Sequence, residues 1–230
     1  VNRFDLICAE AHKKNVSLLI DAEESWMQDA ADDLVTQMMK KYNKEKAIVY
    51  NTLQRYRHDR LDYLKKLHAQ AKEEGFFIGM KIVRGAYMEK EIARAEEKGY
   101  PSPICASKEA TDVNYDAAIQ YMIDNLEVLN IYAGTHNELS SYKLIDLMKS
   151  KGLQTNDNRI WFGQLYGMSD NISYNLAEAG FNVSKYLPFG PVRDVMPYLI
   201  RRAEENTSVA GQTSRELTLL KKERKRRKGK

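Results

Sequence analysis

Six short runs of β-branched and apolar residues alternate with longer runs of helical period, and this alternation restricts the fold more than any other feature. The strand runs are 16–21, 47–52, 77–83, 128–133, 159–164 and 182–187. Between and after them, residues 25–42, 60–74, 89–98, 112–126, 139–151 and 169–179 repeat their apolar positions every three or four residues. Strands separated by helices pair in parallel through right-handed crossovers, so the fold class is α/β. The central strands are nearly continuous apolar runs, as expected where both sheet faces are covered. Two architectures satisfy this pattern: an open doubly wound sheet, or a (β/α)8 TIM-type barrel lacking its first strands. The glycine-rich turn of dinucleotide folds is missing, because Gly163-Gln164-Leu165-Tyr166-Gly167 is too loosely spaced.

Composition excludes several classes. The 230 residues are 43% hydrophobic and 30% charged, enough to bury the core of one domain. No apolar run approaches a membrane span. Cys8 and Cys105 lack ligand-like spacing, so a disulfide framework or zinc site is not expected and a reducing compartment is. The four histidines form no metal-binding pair, so no metal is expected. The net charge of +4 arises at one end: residues 215–230 carry +7, leaving 1–214 at −3. That basic tail suits a solvated, mobile end, or contact with nucleic acid or an anionic membrane. The chain opens inside a helical pattern (Val1, Phe4, Ile7, Ala11), which reads as the later part of a longer protein.

Polar groups gather after each strand run: Asp21-Ala22-Glu23-Glu24, Asn51-Thr52-Leu53-Gln54, Lys81-Ile82-Val83-Arg84-Gly85-Ala86-Tyr87, Gly134-Thr135-His136-Asn137, Gln164-Leu165-Tyr166-Gly167 and Tyr186-Leu187-Pro188. In barrels this C-terminal rim is where ligands and chemistry collect. The last core helix carries Tyr198, Arg201, Arg202 and Glu205 on one face, opposite an apolar stripe of Val192, Val195, Met196, Leu199 and Ala203. Two guanidinium forks beside a phenol suit a small carboxylate, although a solvated face with an Arg201–Glu205 pair fits the same spacing.

Five of these segments, in this order, resemble proline dehydrogenases: 20–24, 81–87, 135–137, 165–168 and 198–206. The resemblance covers nearly the whole chain except the tail, and it is nearer the eukaryotic mitochondrial branch. It implies a distorted (β/α)8 barrel over 1–214 with FAD at the C-terminal rim and a separate basic tail over 215–230. It also implies that the chain begins just before the third barrel strand. The first two strands, with a lysine near the substrate carboxylate, would then be missing, leaving open sheet edges that need a partner segment.

The implied reaction is oxidation of L-proline to pyrroline-5-carboxylate by hydride transfer to flavin N5, with electrons passing to a membrane quinone. The implied setting is the matrix side of the inner mitochondrial membrane, with a functional link to pyrroline-5-carboxylate dehydrogenase and no role for nucleic acid. Arg201 and Arg202 match the carboxylate-binding pair, and Asp21 supports that receptor, with Ser25 expected to cap the following helix. Tyr186, Tyr198, Tyr87 and Leu165 match the walls of the proline ring. Lys81 and Arg84 match basic positions facing the flavin, with Gly85 and Ala86 beside them. Asn51, Gln54 and Gln164 match amide contacts to its ring. Thr135, His136 and Asn137 match contacts to the remainder of FAD, and Glu205 and Asn206 close the rim. A tyrosine at 186 favours proline over hydroxyproline, whose enzymes carry a small residue there. A hydroxyproline dehydrogenase, or a non-catalytic fragment with an anion-binding tail, are the alternative readings.

Overall fold

A computed structural model describes residues 2–208 and 210–228, without the side chains of 201, 203–208, 210–216 and 219. The chain divides into two compact units, Val1–Tyr186 and Leu187–Lys230.

The first unit begins with α1 (Asn2–Lys14) and alternates thereafter: β1 (Leu18–Leu19), α2 (Ser25–Tyr42), β2 (Val49–Gln54), α3 (Arg60–Glu74), β3 (Ile78–Val83), α4 (Met88–Lys98), α5 (Lys108–Ile123), β4 (Leu129–Gly134), α6 (Glu138–Ser150), β5 (Ile160–Leu165), α7 (Asp170–Glu178) and β6 (Val183–Tyr186). All six expected strands form and pair in parallel, in the order β1-β2-β3-β4-β5-β6. A doubly wound sheet must reverse its order at a switch point, and this one does not. It is the wall of a barrel, with one face covered by helices and the other, inner face turned away from them.

The two faces differ in chemistry. Met80, Ile82, Ile131, Ala133, Ile160 and Phe162 point to the helices and join the main core, most with no exposed surface. The inner face carries Tyr50, Lys81, Tyr132, Trp161 and Ser184 at alternate positions. Two tyrosines lie flat over glycines of the next strand: a Cβ on Gly79 would sit 2.4 Å from the Tyr50 ring, and one on Gly163 would sit 2.3 Å from the Tyr132 ring. Only glycine leaves room for a ring there. The Tyr132 hydroxyl then reaches Ser184 Oγ at 2.6 Å.

Strand β2 starts two residues later than its apolar run suggests. Asn43, fully buried at the end of α2, accepts from the N–H groups of Ile48 (2.9 Å) and Val49 (2.8 Å) through Oδ1. Its Nδ2 donates to the carbonyls of Val49 and Phe77 at 2.8 and 3.0 Å. One side chain therefore satisfies the backbone at the start of two strands, where buried groups must be paired.

Ser25 does not cap α2. The cap position falls on Glu24, whose side chain makes no capping bond. Ser25 is instead the first helical residue, and a carboxylate from another helix meets its N–H.

The second unit contains α8 (Val192–Ser208), with Pro197 inside it, and α9 (Ala210–Lys228). The basic run expected to be a mobile end is helical. Glu223 accepts from Arg226 and Arg227 at i+3 and i+4, at 2.7 and 2.8 Å, which supports a helix against the repulsion of its cations. Hydrogen bonds from Arg226 and then Arg227 hold the Glu223 carboxyl well down, at about 2.

Candidate active site

Parallel pairing gathers every strand's C-terminal end along one edge, so the polar clusters of the first unit share a rim. Strand alternation then sorts them between the two faces.

On the inner face, Lys81 pairs in register with Thr52 and Tyr132. Its Nζ bonds Asp21 Oδ1 across the end of β2. The lysine side chain is 15% exposed and the aspartate 60%, so the cation is held mostly within the wall and its partner faces solvent. Gln54 ends β2 on this face, and its Nε2 donates to the Glu23 carbonyl at 2.7 Å. Leu165 and Tyr186 are register partners, placing a branched aliphatic group beside an exposed ring. Asp21, Gln54, Lys81, Leu165 and Tyr186 are thus brought to one face of the wall.

Asn51, Gln164 and Arg84 are not. Asn51 points into the helix layer, where its Nδ2 donates to Asp32 Oδ1 (2.8 Å) and the Tyr63 hydroxyl (3.1 Å). Gln164 does the same beside α7, donating to the Thr135 carbonyl at 3.2 Å and accepting from Ser173 at 2.9 Å. Both are buried, so neither amide meets the inner face as expected; they brace strand ends instead. Arg84 spreads its three nitrogens over Asp112 (2.6 Å), Thr135 Oγ1 (2.8 Å) and Ser140 Oγ (3.0 Å), with its guanidinium carbon 4.5 Å from the Tyr115 ring centre. The expectation that Lys81 and Arg84 face one ligand region together is therefore corrected: they lie on opposite sides of the wall. Burial raises the Asp112 carboxyl, but hydrogen bonds from Lys108 and Arg84 outweigh it and leave the pKa below the usual value.

The β4–α6 turn is built by its own side chains. Thr135 Oγ1 accepts from the Asn137 N–H at 3.1 Å, and Asn137 Oδ1 caps α6 through the Ser140 N–H at 3.1 Å. His136 Nδ1 lies 3.0 Å from Ser169 Oγ, tying this turn to the start of α7. Gly85 adopts φ 138, where a Cβ would strike the Tyr56 ring; Gly85 and Ala86 lie exposed on the rim. Tyr87 donates to Glu23 Oε2 at 3.2 Å.

In the second unit, the Arg202 guanidinium carbon lies 5.2 Å from the Tyr198 ring centre, so these two share a helix face as their spacing requires. The side chains of Arg201, Glu205 and Asn206 lie outside the described residues.

Sequence reasoning missed Asp32, Arg60 and Glu91. Each is buried, and Asp32 lies on the stripe Gln28, Asp32, Val35, Met39, Tyr42 that faces the core. A charge on an apolar stripe was the available signal. Among the described residues, no cluster of three His, Cys, Asp or Glu side chains could hold a metal ion.

The proline dehydrogenase family model matches residues 2–215. Mitochondrial proline dehydrogenase 1 of Homo sapiens is 40% identical over 223 residues, covering 96% of this chain and 37% of the human protein. The hydroxyproline dehydrogenase of Xenopus laevis is 38% identical over 231 residues, covering 99% of this chain and 50% of that protein. Among solved structures, proline utilization A from Bdellovibrio bacteriovorus, inactivated by N-propargylglycine, superposes with a TM-score of 0.84 at 24% identity, over 91% of this chain and 22% of that one. The chain thus spans between about a third and a half of the two sequence relatives, and its strand order, barrel wall and match from end to end agree: it belongs to the proline dehydrogenase family.

Proposed function

We propose that residues 1–214 form part of the catalytic barrel of an FAD-dependent proline dehydrogenase that oxidises L-proline to pyrroline-5-carboxylate, with 215–230 as a basic appendage. The observation that carries this reading is the inner-face group of Lys81, Gln54, Leu165 and Tyr186, one rim of a barrel wall whose sequence matches this family throughout.

The donor chemistry suits FAD. Lys81 supplies a cation on the inner face, Gln54 a carboxamide, and the capped start of α6 with His136 supplies donors of the kind a diphosphate takes. FAD, when bound, supplies the two-electron acceptor. The chain's own residues do the positioning: Arg201 and Arg202 bind the carboxylate through forked donors, and Leu165 with Tyr186 and Tyr198 hold the ring flat. Tyr87 and Asp21 order the rim, while Asn51, Gln164 and Arg84 support it from the helix side. Glu205 and Asn206, on the same helix as the arginines, serve as further cofactor contacts in this reading. No residue is needed as a dedicated base, because the amine loses its proton to solvent.

In this reading the electrons pass to a membrane quinone on the matrix side of the inner mitochondrial membrane, and a pyrroline-5-carboxylate dehydrogenase consumes the product. Several relatives are named mitochondrial, and no helix among the described residues is long and apolar enough to cross a membrane. The Xenopus relative supports a second reading, oxidation of hydroxyproline. The test is direct. Purified protein shows a flavin absorption band that proline bleaches without air, with kcat/KM for proline above that for hydroxyproline. A colourless, inactive protein whose tail binds anionic polymer would establish the non-catalytic alternative instead.

A further inference from the structure

The first turns of α4, with Tyr87 just before it, grip four consecutive residues where the loop after β1 enters α2. Tyr87, Lys90, Glu91 and Arg94, spaced so as to share one helix face, meet Glu23, Glu24, Ser25 and Trp26 in the same order. Tyr87 donates to Glu23 at 3.2 Å, Lys90 pairs with Glu24 at 3.0 Å, and the Arg94 guanidinium carbon lies 4.3 Å from the Trp26 ring centre. These contacts are partly or largely exposed. Glu91 is different, with 0% of its surface exposed. Its two oxygens accept from the Ser25 N–H and the Ser25 hydroxyl, both at 2.6 Å. A buried carboxylate thus sits at the N-terminus of α2, where the helix dipole and unpaired N–H groups favour negative charge.

The grip crosses over the end of β2, since its two sides follow β1 and β3. Beneath it, the Glu23 N–H donates to Gln28 Oε1 at 2.8 Å and the Glu23 carbonyl accepts from Gln54 at 2.7 Å. Asp21, two residues earlier, is then held where it meets Lys81. Asp21 itself is exposed. On one side Ile20 is tied to β2, its N–H donating to the Tyr50 carbonyl at 2.9 Å and its carbonyl accepting from Thr52 Oγ1 at 2.7 Å. On the other side the chain runs into the gripped segment, which sets where Asp21 meets Lys81.

We propose that Glu91 is a positioning residue: by latching the loop at Ser25 it keeps Asp21 on Lys81, and so sets the direction of the one inner-face cation at the rim among the described residues. The assignment of that face as the reaction site rests on the function proposed above. A carboxylate that merely stabilised α2 would leave Lys81 unaffected when removed.

The test compares Glu91→Gln, which keeps size and one acceptor but loses charge, with the unaltered 230-residue chain. Acetylation of each lysine by acetic anhydride is followed by mass spectrometry, with exposed Lys149 as internal reference. Lys81 is expected to react about threefold faster in the variant, the scale of one partly exposed ion pair, with Lys149 unchanged. Lys90→Ala, which removes an exposed contact of the same grip and leaves the core intact, should raise Lys81 reactivity in the same direction by less. Where the chain oxidises proline, Glu91→Gln should lower kcat about tenfold while KM stays near its starting value, and Glu91→Asp should restore part of the loss. An unchanged Lys81 rate in both variants overturns the proposal. An inactive unaltered chain would overturn the proposed function alone, because the lysine rates still decide the latch.

Discussion

Arg60 donates to Asp32 at 2.7 Å with the two side chains only 3% and 5% exposed, which makes theirs a buried ion pair joining α3 to α2. Asp32 also accepts from Gln28 and Asn51, both at 2.8 Å, and the Arg60 guanidinium carbon stacks 3.9 Å from the Tyr63 ring centre. Removing either charge strands the other in a medium of low polarity. Asp32→Ala and Arg60→Ala should each destabilise the fold by about 3–5 kcal/mol, and the double variant by less than the sum. Denaturant titration of the three variants checks this.

Gly163 is expected to resist any side chain. A Cβ there meets the Tyr132 ring at 2.3 Å, and moving the ring breaks the 2.6 Å Tyr132–Ser184 bond. Gly163→Ala should cost about 1–3 kcal/mol by overpacking. Adding Tyr132→Ala should make the alanine at 163 tolerable, so the two effects should combine to less than their sum. Denaturant midpoints of the single and double variants provide the measurement.

His68 gives the fold a pH dependence of known sign. Burial lowers its pKa below 6.5, with Lys72 adding to the effect and Glu127 opposing it. Nδ1 lies 2.8 Å from the Tyr121 hydroxyl, while Nε2 is buried with no partner for a second proton among the described residues. A depressed folded pKa means the unfolded chain protonates first as the pH falls. The contribution of His68 to stability is therefore complete above 6.5 and is lost on acidification through that value toward the folded pKa. Tm should fall from neutral to mildly acidic pH, and His68→Gln should flatten that slope.

Arg201→Lys tests the proposed carboxylate receptor. A lysine keeps the charge but loses the paired donors, so KM for proline should rise about tenfold or more while bound flavin is retained. Steady-state kinetics and the flavin spectrum separate the two quantities. Loss of flavin with unchanged KM would place the helix against the cofactor rather than the substrate.

Much of the fold is legible in the chain. All six strands appear where the apolar runs lie, and α2 and α3 keep the limits that periodicity gives them. The shift of β2 is not legible, because it follows from one side chain, Asn43, bonding across to Val49 and Phe77. Nor is the cap of α2, which comes from Glu91, 66 residues away.

The site was half legible, for a geometric reason. Successive side chains on a strand alternate between faces, so Asn51 and Gln54, three residues apart, cannot share one. Lys81 and Arg84 are separated by the same step, and Gln164 is adjacent to Leu165. The chain's own alternation therefore determines that each such set must split, as it determines a parallel α/β order and a polar rim. Which half faces inward was decided only by tertiary structure. Helices packing on one side of the wall claim the apolar residues of each strand, and Asn51 and Gln164 go with them because buried partners on α2, α3 and α7 satisfy their amides.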